Sequence, residues 1–130
     1  MTDPEPLWLR RFEQGQVDLT RFSHREHLRM AYELLRQDEF LDATVRYSRA
    51  LRLIVGRAGK AEAFNQTVTI AFLALVAERL QGGAWPDFEA FVQAHPELLQ
   101  KQTLRRWYRD ERRLASDAAR RNFLMPDPIA

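Results

Sequence analysis

The chain has 130 residues, a hydrophobic fraction of 45%, a formal net charge of +2 and no cysteine. This length and apolar content suit one folded unit with a core of its own, so we expect residues 1–130 to form a single helical domain. The lack of cysteine excludes disulfides, thiolate catalysis and thiolate metal sites.

No segment has the features of a membrane span or of an export signal. The longest apolar stretch, residues 68–77, is interrupted by Thr69 and falls well short of the ~20 residues that cross a bilayer. The first 15 residues carry acidic side chains and two prolines, whereas a secretory signal is basic and then apolar. We therefore expect a cytoplasmic protein with no membrane partner.

Apolar residues recur at intervals of three and four between turn signals, which predicts helices along the chain. A short first helix is predicted over about residues 5–14. Ser23 and Glu26 form a capping box that predicts the start of a second helix. On that helix, His24 and His27 share an arc with Leu28, Ala31, Leu34 and Leu35, so both imidazoles are predicted to face inward.

Two longer helices and several short ones are predicted to follow. Asp38 is expected to cap a third helix with Tyr47 on its buried side. A fourth helix, over about residues 61–81, is apolar nearly all round, as expected at the centre of a bundle. Pro86 is expected to begin a short helix and Ser116 to cap another. The predicted fold is all-α: a compact bundle of three longer helices with shorter helices at both ends.

The candidate site follows from this topology. Short connections make successive long helices antiparallel, so the second and fourth helices should start at the same end of the bundle. His24 and His27 would then lie level with three polar residues at the start of the fourth helix: Asn65, Gln66 and Thr67. We predict a pocket that binds a small molecule or performs simple acid–base chemistry on it. His24 and His27 are its candidate catalytic residues, and its candidate ligand-binding residues are Asn65, Gln66, Thr67 and Tyr47.

Two alternatives compete for the histidines. Their spacing lets both imidazoles reach one divalent ion, with Glu62 as a further ligand one turn before Gln66. In a purely structural interpretation, His24 bonds backbone near the helix start and His27 is a core residue with a satisfied hydrogen bond. Our leading interpretation needs no cofactor; a divalent metal belongs to the first alternative.

Other functional classes find less support. The chain has no GxSxG turn, which argues against a nucleophilic hydrolase, and it has neither GxxxxGK[ST] nor GxGxxG, which argues against the nucleotide sites that those motifs form. Residues 101–130 hold 8 of the 20 basic side chains and 4 of the 18 acidic ones. Asp110 and Glu111 interrupt this cationic segment, which argues against nucleic-acid binding. A third alternative is an interaction module in which the segment binds an acidic partner or another copy of the chain.

We expect the C-terminal segment to fold onto the bundle, because a free tail would leave six large apolar side chains in water. They are Leu104, Trp107, Tyr108, Leu114, Phe123 and Leu124.

Three segments, FSHREHLRMAYELL, AFNQTVTIAFLALVAERL and LASDAARRNFLMPD, resemble signature stretches of a family of small bacterial helical proteins of unassigned function. The family pattern has FxHxxH in the first stretch and Tyr-His-Glu-Thr in the second. His24 and His27 match it, whereas Phe64, Asn65 and Gln66 stand where the pattern has tyrosine, histidine and glutamate. Because amides bind transition metals poorly, the resemblance implies that any metal site of the family is lost here.

Overall fold

The computed structural model describes residues 5–128 and, within that range, contains helices and no strand. This confirms the all-α prediction. The α-helices are α1 (Leu7–Glu13), α2 (His24–Gln37), α3 (Phe40–Arg57), α4 (Gln66–Gln81), α5 (Phe88–Ala94), α6 (Glu111–Leu114) and α7 (Asp117–Arg121). Short 3₁₀ turns span Leu19–Arg21, Ala61–Ala63, Pro96–Leu99 and Thr103–Arg106.

The three longest helices, α2, α3 and α4, pack against one another. Only Asp38 and Glu39 separate α2 from α3, so the chain turns back sharply between them. The shorter helices α1 and α7 lie against α3 and α4, respectively. The predicted bundle of three longer helices with shorter helices at both ends is therefore confirmed.

The core explains why the chain adopts this arrangement. α4 carries apolar residues on most of its circumference, and it buries Leu73 and Val76 completely between its neighbours. α2 is amphipathic and buries one face, including Leu28 and Leu34. Each large apolar side chain removed from water contributes about 1.5–3 kcal/mol, which is why the three apolar faces meet.

Helix caps determine several of the boundaries. The predicted caps at Ser23 and Ser116 are confirmed: each hydroxyl accepts a hydrogen bond from the backbone N–H three residues later, at 3.3 and 3.1 Å. The prediction that Asp38 caps α3 is wrong. Glu39 occupies the cap position without a side-chain hydrogen bond, because the Asp38 carboxylate instead accepts a hydrogen bond from Arg46 at 2.9 Å.

Two predicted helix starts are displaced. α4 begins at Gln66 rather than near residue 61, because Asn65 is an N-cap whose Oδ1 accepts a hydrogen bond from the N–H of Val68 at 2.9 Å. Residues 61–63 form a 3₁₀ turn instead. Pro86 lies outside α5, because Asp87 caps that helix and accepts a hydrogen bond from the N–H of Ala90 at 2.8 Å.

An ion cluster joins α1 to α3. The Arg46 guanidinium contacts the carboxylates of Glu5, Glu13 and Asp38. Partial burial by itself lowers the pKa of Arg46, but the hydrogen bonds to these three carboxylates outweigh it and raise the pKa above its ordinary value. Arg46 therefore stays charged and fixes the position of the first helix.

The C-terminal segment folds back onto the bundle, as predicted. Leu104 and Tyr108 are buried, and the Tyr108 hydroxyl donates a hydrogen bond to the backbone oxygen of Leu124 at 2.8 Å. Asp127 accepts a hydrogen bond from the N–H of Arg109 at 2.7 Å. Phe123 departs from the expectation, since 41% of its surface remains exposed.

Within residues 5–128, none of the helices is long and apolar enough to cross a lipid bilayer.

Candidate functional site

A cavity of about 340 Å³ lies at the end of the bundle where α2 and α4 begin. α2 contributes the two histidines, α3 contributes Tyr47, and the segment after the third 3₁₀ turn contributes Lys101. Apolar side chains form much of the remaining wall: Leu19, Leu51, Val55, Ala63, Phe64, Val68, Phe72 and Leu104. The cavity therefore combines a few polar groups with an apolar interior, which is typical of sites for small molecules.

The structure brings together four of the predicted site residues and separates two others. His24, His27, Tyr47 and Asn65 all line the cavity. Thr67 does not, contrary to the prediction. Its side chain is completely buried, and its hydroxyl donates a hydrogen bond to the backbone oxygen of Asn122 at 2.6 Å.

Thr67 therefore attaches the C-terminal segment to α4. Its hydroxyl also accepts a hydrogen bond from the N–H of Leu124, at 3.0 Å. Gln66 is also absent from this cavity and lines a neighbouring cleft, contrary to the prediction. The reason is helical phase: successive residues of α4 point about 100° apart, so Asn65, Gln66 and Thr67 cannot share one direction.

Asn65 lines the cavity, but structural contacts engage both ends of its amide. The oxygen accepts the capping hydrogen bond at the start of α4, and Nδ2 donates a hydrogen bond to the backbone oxygen of Leu114 at 2.7 Å. Asn65 thus links α4 to α6, and it presents little free hydrogen-bonding capacity to a ligand.

The His24 ring is held in a defined orientation and tautomer. Its Nε2 lies 2.9 Å from the backbone oxygen of Leu98, and the ring packs against Phe72 with centroids 5.5 Å apart. A carbonyl oxygen only accepts hydrogen bonds, so Nε2 must carry a hydrogen. In the neutral ring the lone pair is then on Nδ1, which makes no hydrogen bond within residues 5–128.

The His27 ring is paired with a buried tyrosine. Its Nδ1 lies 3.2 Å from the Tyr47 hydroxyl, and Phe22 packs on the ring with centroids 4.4 Å apart. Burial, followed by electrostatic repulsion from His24 and Lys101, lowers the pKa of His27 to about 4. Burial likewise raises the pKa of Tyr47 above its ordinary value, so both partners are neutral at neutral pH.

The tautomer of His27 follows from Tyr47. The phenolic hydroxyl makes no other hydrogen bond in the described part of the chain, and a buried hydroxyl hydrogen without an acceptor is costly. Donation from Tyr47 to Nδ1 satisfies that hydrogen and leaves the imidazole hydrogen of His27 on Nε2. This second ring nitrogen has no partner within residues 5–128 and is not among the buried unpaired atoms. The structural interpretation therefore accounts for one nitrogen of each imidazole and leaves the other accessible.

Sequence reasoning missed three polar residues of the cavity: Thr69, Lys101 and Thr103. Lys101 makes no ion pair within residues 5–128, and neither threonine hydroxyl makes a hydrogen bond there. Thr69 was detectable, because it lies one helical turn after Asn65 and so shares its face. Lys101 and Thr103 reach the cavity through the fold of the segment that follows α5, which no local pattern reveals.

The structure does not bring together the ligands that the metal-binding alternative requires. Within residues 5–128, no three His, Cys, Asp or Glu side chains lie close enough together to hold a metal ion. Glu62 is exposed on the Ala61–Ala63 turn and is not part of the cavity wall.

Comparison with models of known protein families, with curated proteins and with solved structures finds no match to this chain. The resemblance of three segments to a bacterial family therefore stays a prediction. Functional inference depends on the geometry of the cavity.

Proposed function

We propose that the cavity binds a small molecule that has an apolar body and one polar, acceptor-rich group such as a carboxylate. The observation that carries the proposal is the arrangement of the two imidazoles. Each ring is fixed by one nitrogen, through Leu98 or Tyr47, and its second nitrogen makes no hydrogen bond within residues 5–128. Such preorganisation lowers the entropic cost of binding a ligand.

The polar groups of the site define the hydrogen bonds that a ligand would make. His27 offers an N–H donor at Nε2, and Lys101 adds a positive charge. His24 offers an acceptor at Nδ1. A carboxylate would accept from His27 and Lys101, and a neighbouring hydroxyl or amide N–H would donate to His24.

The apolar wall indicates the size and the apolar character of the rest of the ligand. Aliphatic and aromatic side chains from α3 and α4 surround the polar groups, including Leu51, Val55 and Phe72. A volume of about 340 Å³ is at the lower end of the range of ligand sites, roughly 300–1,000 Å³. The site therefore suits a compact, largely hydrocarbon molecule.

The pKa of His27 favours binding over acid–base catalysis by that residue. A general base is most effective when its pKa is near the working pH, and an imidazole with a pKa of about 4 is a weak base at neutral pH. We therefore assign His27 the role of a neutral hydrogen-bond donor. If the site performs proton transfer, the Nδ1 of His24 is the group that would accept the proton.

The test uses the imidazole NMR signals during titration with small carboxylic acids that have aliphatic or aromatic bodies. The chain has three histidines, and His95 lies apart from the cavity, against Trp85 and Phe91. Binding in the cavity should shift the ring signals of His24 and His27 at constant pH and leave those of His95 unchanged. His95 is therefore an internal control for bulk pH and nonspecific effects.

Matched variants make this test specific. His24→Gln and His27→Gln should each weaken the binding of an active compound, and His95→Gln should not. Since a hydrogen bond to a charged group contributes about 1.5–3 kcal/mol, the expected loss of affinity is about tenfold or more. The proposal fails if all three histidines shift together or if affinity is the same in all three variants.

A further inference from the structure

A second concave site lies beside the histidine cavity and is lined by arginines. This arginine cleft, of about 460 Å³, is formed by the end of α3, the Ala61–Ala63 turn, the start of α4, and α7. Its polar lining consists of Arg52, Arg120, Arg121 and Gln66. Val55 and Phe64 line both the cleft and the histidine cavity, so the two sites share a wall.

The positive charge in the arginine cleft is incompletely neutralised. Arg52 makes no ion pair within residues 5–128, and its guanidinium carbon lies 4.9 Å from the centre of the Phe64 ring. Arg120 and Arg121 share one carboxylate, that of Asp117, at 3.5 and 3.4 Å. The three guanidinium groups of the cleft thus have a single paired carboxylate among them, which leaves an excess of two positive charges.

Neighbouring groups do not cancel this excess by direct contact. Glu62 is exposed on the turn that borders the cleft, but it forms no ion pair with these arginines. The Nε of Arg120 is buried and finds no acceptor among the described residues. Like-charged side chains held close together are unfavourable, so an anion between them would relieve their repulsion.

The donors match the chemistry of a phosphate group. Guanidinium groups present paired N–H donors whose spacing suits phosphate oxygens, and a phosphate can bind several of them at once. Gln66 adds a side-chain amide, and as the first residue of the 16-residue helix α4 it places the positive end of the helix dipole at the cleft.

We propose that the arginine cleft is a binding site for a phosphate group, held by Arg52, Arg120 and Arg121 with Gln66. This proposal is independent of the function assigned to the histidine cavity. The group could be inorganic phosphate or the phosphate of a monoester, and the shared chemistry is a tetrahedral oxyanion with two or more negative oxygens.

The primary test is titration of the full chain with inorganic phosphate. The readouts are the backbone amide NMR signals and the melting temperature. Sodium chloride at matched ionic strength serves as the reference, because it screens charges without filling a phosphate site. We expect phosphate to raise the melting temperature more than the reference does, with saturable shifts confined to residues around the cleft. An equal effect of both salts, with no saturable shifts, would overturn the proposal.

Charge-neutralising variants identify the residues involved. Arg52 is exposed and the Arg121 side chain is 74% exposed, so the double variant Arg52→Gln/Arg121→Gln should fold normally. We expect it to bind phosphate at least about tenfold more weakly, because it loses charge-assisted hydrogen bonds to the anion. Arg112, whose side chain is 95% exposed on α6, provides the control Arg112→Gln, which should bind like the wild type. Equal affinity of the double variant and the wild type would refute the assignment.

A second arm distinguishes the two sources of phosphate. If phenyl phosphate binds more tightly than inorganic phosphate, and if the double variant loses that affinity, the result supports a phosphate monoester as the ligand. Equal affinities of the two compounds, both lost in the double variant, support the free ion. The proposal would be contradicted if phosphate shows no saturable binding while single-stranded RNA binds and phosphate does not displace it. That outcome would indicate a surface for polyanions.

Discussion

Replacing His27 with glutamine should remove much of the loss of stability that the protein undergoes between neutral pH and pH 4. The native environment lowers the pKa of His27 from 6.5 to about 4, through burial and through electrostatic repulsion from His24 and Lys101. Glutamine does not titrate in this range, and its side chain retains an oxygen that can accept the hydrogen bond of Tyr47. The substitution therefore removes the titration and keeps the polar contact.

The sign and size of the effect follow from proton linkage. Between pH 6.5 and 4 the unfolded chain binds a proton at this histidine more readily than the folded chain does, so acid favours unfolding. The stabilisation from keeping His27 neutral is complete above about pH 6.5 and is lost as the pH falls through this window. A fall in pKa from 6.5 to about 4 corresponds to about 3 kcal/mol.

The assay is urea denaturation of the wild type and the His27→Gln variant at intervals from pH 4 to pH 7.5. Carboxylates also titrate in this range, so the informative quantity is the difference in unfolding free energy between the two proteins. That difference should change by about 3 kcal/mol across the range, with the wild type losing more stability in acid. NMR titration of the His27 ring should give a midpoint near pH 4.

Two results would refute this reasoning. A His27 midpoint near 6.5 would show that the ring is solvated rather than buried against Phe22 and Tyr47. A stability difference that does not vary with pH would show that His27 is not responsible for the acid sensitivity.

Four further predictions follow from the structure. Arg46→Gln should destabilise the protein by about 2–3 kcal/mol, because it leaves three carboxylates without their shared cation. Thr67→Val should cost about 1–3 kcal/mol, because the buried Thr67 hydroxyl makes two hydrogen bonds, to the Asn122 backbone oxygen and from the Leu124 N–H, and both are lost. Truncation after Gln100 should destabilise the whole fold, because it removes the buried side chains of residues 104 and 108. Elemental analysis should find no stoichiometric zinc or iron in the purified protein.

Each of these predictions has a control and an outcome that would contradict it. Urea denaturation measures the first two, and Arg112→Gln, a highly exposed substitution, should change stability by less than about 0.5 kcal/mol. A wild-type-like Arg46→Gln or Thr67→Val would show that the contact contributes nothing to stability. Thermal melts measure the truncation, and an unchanged melting temperature would contradict the packing of the C-terminal segment. A full equivalent of metal that His24→Ala removes would favour the metal-binding alternative.

Much of the fold could be predicted because its determinants are local. The spacing of apolar residues identified the three long helices, and Ser23 and Ser116 marked two starts correctly. The errors arose where one residue had a choice of partners. Asp38 binds Arg46 across the bundle rather than capping α3, and Asn65 rather than an earlier residue caps α4.

The candidate site was predictable in part. The phase of α2 and the short connections were enough to place His24 and His27 at the end of the bundle where α4 begins. Adjacent residues at the start of α4 were assigned to one pocket, but a helix directs neighbours about 100° apart. Consequently Asn65 faces the cavity, while Gln66 lines the arginine cleft and Thr67 is buried beneath the C-terminal segment.

The sequence by itself determined the helical class, the approximate positions of the main helices and the inward face that carries the two histidines. These properties depend on periodicity and capping, which act over a few residues. Only the tertiary structure decided what surrounds the histidines. Leu98 and Tyr47, which are distant from them in sequence, set the tautomers, and burial, followed by electrostatic repulsion from His24 and from the distant Lys101, lowers the pKa of His27. Hydrogen bonding, burial and electrostatic interactions depend on which groups lie close together in space, and long-range packing determines those contacts.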